Sequence, residues 1–95
     1  MKPGYFAIIP ANVRYDNRLS AAEKLMFSEI TALSGKDGYA FANNSYFAEL
    51  YGVDERTIRR WISKLVELKY VSVSMVKKAN GADDFRRIIP LVGPD

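Results

Sequence analysis

From Ser20 onward the apolar positions Ala22, Leu25, Met26, Ile30 and Leu33 recur at helical spacing until Gly35. This predicts a helix over 20–34 with those five side chains on its buried face. Its start carries S-x-x-E, Ser20 to Glu23, a capping box in which serine and glutamate satisfy free backbone N–H groups. A second helix is predicted in NNSYFAEL, capped by Asn44 or Ser45, with Phe47, Ala48 and Leu50 on its apolar side. Gly52 breaks it, Val53 plugs the turn, and Asp54 caps a longer helix running to Lys69. There Ile58, Ile62, Leu65 and Leu68 recur at intervals of four, three and three, with Trp61 flanking the stripe, so one face is buried.

The period then changes to two. Tyr70 to Val76 alternates as a strand should, and Lys77 to Asp84 is polar and contains Asn80-Gly81, a hairpin signal. Phe85 to Leu91 is the return strand. At the other end, Tyr5 to Pro10 predicts a short strand or extended arm, followed by an irregular turn from Asn12 to Arg18. The arm residues Tyr5, Phe6, Ile8 and Ile9 either pack across the 20–34 helix, the favoured reading, or pair with a second copy. Lys36 to Gly38 is a turn, and Tyr39 to Ala42 a small strand leading into the next helix. The fold class that follows is α+β, mainly α: a winged helix-turn-helix of three helices plus a C-terminal β-hairpin wing. One domain spans 1–95, with an arm at 1–19, the first helix at 20–34, the helix-turn-helix at 44–69 and the wing hairpin at 70–91.

Composition narrows the chemistry. The hydrophobic fraction of 48% in 95 residues supports one core, but not a core plus a deep catalytic cleft. Histidine and cysteine are both absent, and no glycine-rich phosphate loop is present. The expectation is therefore a protein that is not an enzyme and holds neither metal nor cofactor. The adjacent Asp83 and Asp84 do not make a carboxylate site, since neighbours on a strand end point apart. The longest apolar runs fall far short of a membrane span. The opening MKPGYFAIIP is too short and too soon interrupted by proline for a secretory signal, so a cytoplasmic protein is expected.

The net charge of +3 is unevenly placed. Through Val53 five basic residues balance five acidic ones, whereas from Asp54 onward nine basic residues face six acidic ones. The whole excess lies in the C-terminal half and suits a polyanion. On the exposed face of the long helix stand Arg56, Arg59, Arg60, Ser63 and Lys64. A guanidinium there can bond O6 and N7 of guanine together, or a phosphate. Thr57 is placed to donate to a phosphate, assisted by free N–H groups at the helix start. Glu55 either repels phosphate or accepts from cytosine N4. The competing structural reading is a solvated surface with ion pairs such as Glu55 with Arg59. Asn43, Asn44 and Ser45 combine capping with a backbone-phosphate contact, and Lys36 is a weaker candidate. Lys77, Lys78, Arg86 and Arg87 give the wing a cationic character that Asp83 and Asp84 oppose, so a wing that touches DNA and one that only completes the fold are evenly matched.

The segments LSAAEKLMFSEI and YAFANNSYFAELYGVDERTIRRWISKLVELKYVSV resemble a known family. It is the winged helix-turn-helix domain at the N-terminus of phage and plasmid replication initiators and replisome organisers of Gram-positive bacteria. The opening YFAIIPANVRYDNRLSAAEKL is similar to the start of such domains. The resemblance implies origin binding, with double-stranded DNA, a second copy of the chain and a replisome protein as partners, and further regions after the DNA-binding part. Transcriptional regulation by the same DNA chemistry, or a winged helix used for protein contact, is the alternative. One departure stands out: such domains usually have glycine just after the recognition helix, where this chain has Lys69. A left-handed cap at lysine carries strain.

Overall fold

The computed structural model describes residues 4–76 and 85–91. Four helices and a two-stranded antiparallel hairpin follow one another as α1 (Ala11–Arg14), α2 (Ala21–Ser34), α3 (Asn44–Tyr51), α4 (Glu55–Glu67), β1 (Val71–Val76) and β2 (Phe85–Pro90). The arrangement is that of a winged helix-turn-helix. It has one helix more than the sequence predicts, because α1 replaces the irregular turn expected after Pro10. Val13 and Arg14 donate backbone bonds to the Pro10 carbonyl, and Val13 is fully buried. A single turn of helix is what sinks that valine into the core.

The capping box of α2 forms on both sides. Glu23 N–H donates to Ser20 Oγ at 3.1 Å, and Ser20 N–H donates to Glu23 Oε1 at 2.8 Å. The buried face of α2 is Met26, Phe27, Ile30 and Ser34, with Leu33 partly covered, so one expected core position moves. Leu25 is exposed and Phe27 is buried in its place. The reason is tertiary: Phe27 meets the ring of Tyr70 edge-on at 5.9 Å, on a flank of α2 that its own periodicity leaves unmarked. Ser28 and Ser34 are buried on the same helix, and their hydroxyls donate to the carbonyls of Leu25 and Ile30, which removes the penalty of an unpaired polar group.

Helix α3 is capped one residue earlier than expected, by Asn43, whose Oδ1 accepts from Tyr46 N–H at 2.9 Å. Gly52 ends it in the left-handed conformation (φ 69°), and Val53 then packs against the core. Asp54 caps α4 as predicted, accepting from Thr57 N–H at 2.8 Å. The stripe Ile58, Ile62 and Leu65 is buried, with Leu68 half-buried at the helix end. Trp61 flanks it and meets Tyr51 edge-on at 6.0 Å. The largest fully buried side chains are Phe47, Met26, Ile30, Ile58, Leu65 and Ile88, drawn from α2, α3, α4 and β2. Each contributes about 1.5–3 kcal/mol by leaving water.

The chain leaves α4 through Lys69, in the left-handed region at φ 66°. Lys69 N–H donates to Val66 O at 3.0 Å and Tyr70 N–H to Leu65 O at 2.9 Å, a Schellman closure with lysine where glycine is usual. In the hairpin Val71 pairs with Pro90 and Val76 with Phe85. The expected strand at Tyr39 to Ala42 contracts to one bridge, Ala40 with Ile88, whose backbones exchange bonds of 2.8 and 2.7 Å.

The arm divides its residues between two environments. The Tyr5 hydroxyl donates to Glu29, and Ile9 packs on the core, as the intramolecular reading expects. Phe6 and Ile8 point away, 94% and 77% exposed, against that expectation. Farther along, Asp16 ties the arm to the rest of the domain. It accepts from Arg18 through Nε at 2.9 Å and Nη2 at 2.7 Å, and from the Tyr70 hydroxyl at 2.6 Å. These donors hold its carboxyl well below the usual range, Arg18 first and Tyr70 next. Among the described residues no helix is long and apolar enough to cross a membrane.

Candidate nucleic-acid interface

The turn at Gly52 and the burial of Ile58, Ile62 and Leu65 fix which side of α4 faces water. Successive residues advance about 100° around a helix, so burying that stripe drives Arg56, Arg59, Arg60 and Ser63 outward. All four are exposed, and Lys64 is half-covered beside them. Together with Glu23 and Glu67 they line one shallow depression of about 450 Å³. The ion pair of Glu55 with Arg59, the structural alternative, does not form. Among the described residues the one ion pair is Arg18 with Asp16. The three arginines of α4 therefore keep their donors free of any described carboxylate.

The remaining predicted residues separate into three groups. Thr57 is half-buried, and its N–H is taken by the Asp54 cap, so the backbone donor expected to assist a phosphate contact there is already used. Hydrogen bonds from Thr57 hold the Asp54 carboxyl below its ordinary value, with the charges of Arg56 and Arg60 adding to the effect. Glu55 does not join the arginine row. It lines a second groove, of about 530 Å³, with Asn43, Asn44, Ser45, Phe41, Met75, Phe85 and Arg86. The Ser45 hydroxyl donates to Asn43 Oδ1 at 3.0 Å, so its proton serves the cap, while Asn44 Oδ1 is buried without a partner.

Arg86 is not a free wing cation. Its Nε and Nη2 donate to the Ala42 carbonyl at 3.3 and 3.1 Å, and its half-burial lowers its pKa. It joins β2 to the segment that leads into α3. Arg87 stacks on Tyr39, with its guanidinium carbon 4.6 Å from the ring centroid. Lys77, Lys78, Asp83 and Asp84 lie outside the described residues. Lys36 is exposed in the turn after α2 and lines neither groove.

Residues that sequence reasoning passed over also surround this region. Phe41 is 61% exposed and meets Phe85 edge-on at 6.2 Å, and Met75 is 65% exposed on β1. The alternation of β1 marks Val71, Val73 and Met75 as one face, but nothing local says where along the strand that face leaves the core.

A buried stripe, a glycine turn and an outward cationic row make up a helix-turn-helix, the layout that in DNA-binding domains carries its second helix into the major groove. A family model described as a helix-turn-helix domain matches residues 17–71, more than half of the chain, and the chain belongs to that family. No curated protein and no solved structure matches it.

Proposed function

We propose that the protein binds double-stranded DNA sequence-specifically, laying α4 in a major groove with Arg56, Arg59, Arg60, Ser63 and Lys64 as the principal contacts. The observation that carries this reading is the row of three exposed arginines, unpaired with any described carboxylate, on the outer face of the second helix of the motif. The finer role we infer is that of an origin-binding domain in a phage or plasmid replication initiator. It is supported by the likeness of LSAAEKLMFSEI and of the helix-turn-helix segment to such domains. A dimer or arrayed copies on repeated sites fits that role, with half-sites about one helical turn, roughly 34–36 Å, apart.

The test is selection of bound duplexes from a random pool, followed by anisotropy titration of the selected site. Arg59→Ala or Arg60→Ala weakens binding by about 1–3 kcal/mol where the residue reads a base. Affinity also falls steeply with salt as counterions are released. Wild-type affinity in both variants sinks the assignment. A second reading, contact with another protein, is favoured by one observation: Phe6 and Ile8 stand exposed on the arm, away from the α4 depression. It predicts that Phe6→Ser disrupts assembly while leaving duplex affinity intact.

A further inference from the structure

The face of β1 that starts in the core does not stay there. Val71 is 1% exposed, Val73 41% and Met75 65%, so the apolar row runs outward over the groove that begins at Glu55. Glu55 opens the first turn of α4 and is followed directly by Arg56, so this groove neighbours the arginine row at the start of the helix without sharing a lining residue with it. Its polar groups are mostly committed. Arg86 is bonded to the Ala42 carbonyl, and the Ser45 hydroxyl and Asn43 Oδ1 serve the α3 cap. Glu55 makes no ion pair with any described residue. A groove with a carboxylate unpaired among the described residues and an engaged cation disfavours phosphate. It suits instead a neutral base edge that offers an amino donor on one side and an apolar group on the other.

In the major groove cytosine presents the N4 amino donor and thymine the C5 methyl; adenine also offers an amino group, at N6, but beside the N7 acceptor, which a carboxylate repels. We propose that this groove selects a cytosine and a neighbouring thymine at one end of the site read by Arg56, Arg59 and Arg60. The Glu55 carboxylate accepts from cytosine N4, and the wall formed by Met75 and Phe41 packs on the thymine methyl. The inference rests on the duplex-binding reading above, and the experiment separates the two.

The full chain is titrated with the best duplex selected from a random pool, and with copies in which each thymine in turn is replaced by deoxyuridine, deleting only the methyl. For the wild type, one such replacement next to a cytosine weakens binding about fourfold, the worth of one buried methyl group. Met75→Ala narrows the difference between the thymine and deoxyuridine duplexes, because the methyl keeps only its Phe41 contact. Glu55→Ala loses about tenfold of the preference for the adjacent C·G pair over T·A. Both side chains are exposed, and matching thermal melts by circular dichroism establish that the variants fold. Wild-type binding indifferent to every replacement overturns the inference and leaves the DNA-binding reading standing, as does the same methyl sensitivity in Met75→Ala. Failure of the wild type to bind any duplex overturns both.

Discussion

Lys69 occupies a backbone conformation that L-residues adopt at a penalty, so replacing it with glycine stabilises the fold. It is the one non-glycine residue with positive φ among those described, at 66°. The left-handed region costs a residue with a Cβ about 1–2 kcal/mol. Glycine removes that cost but adds freedom to the unfolded chain, worth about 0.4–1 kcal/mol in the opposite direction. Taking the middle of each range, the net gain for Lys69→Gly is about 0.8 kcal/mol. The Schellman bonds from Lys69 and Tyr70 are backbone bonds and survive the change. The lysine side chain is exposed and makes no ion pair with a described residue, so little else is lost. For a domain of this size the gain raises Tm by roughly 3–6 °C, measurable by calorimetry or by circular dichroism melts. Lys69→Ala is the control, since it removes the same charge but keeps the Cβ, and it stays within about 0.5 kcal/mol of the wild type. A glycine variant that melts with the alanine variant, or below the wild type, refutes the steric argument.

Arg86→Ala is expected to lower stability by about 1.5–2 kcal/mol in urea titrations. This is the lower part of the range for bonds to a charged group, because the guanidinium is only half-buried. Its DNA salt slope should match that of the wild type; a slope reduced by about one would identify Arg86 as a phosphate contact instead. The depressed Asp16 carboxyl sets the sign of a pH effect. Its contribution is fully present above the unfolded value of about 3.9 and is lost as pH falls below that, toward its lower folded value. Asp16→Asn should flatten this acid limb of stability against pH, and an unchanged limb would show that other carboxylates carry it.

Much of the fold is written in short-range pattern. The capping box Ser20–Glu23, the Asp54 cap, the left-handed Gly52 and the stripe of α4 are all interactions across three to five residues, where side-chain spacing specifies the partner. The same locality made the arginine row legible, since burying Ile58, Ile62 and Leu65 leaves only one direction for Arg56, Arg59 and Arg60. The α3 cap was misplaced by one residue because Asn43, Asn44 and Ser45 all have capping side chains, and the choice depends on the angle at which the chain enters the helix.

The tertiary structure decided what depends on partners far away in the chain. Phe27 displaces Leu25 from the core because Tyr70, which follows α4 in the chain, supplies its contact surface. Arg86 is a fastening for α3 because folding brings the Ala42 carbonyl, 44 residues earlier, to its guanidinium. Asp16 gains the Tyr70 hydroxyl across 54 residues. Glu55 and Met75 share a groove only because the hairpin folds back over the start of α4. By itself the sequence determined α2 and α4 with their caps, the helix-turn-helix layout and the class of ligand, since these follow from periodicity and local hydrogen bonding. Which charged and apolar groups remain free to meet that ligand was settled by packing, because a side chain's availability depends on every element folded against it.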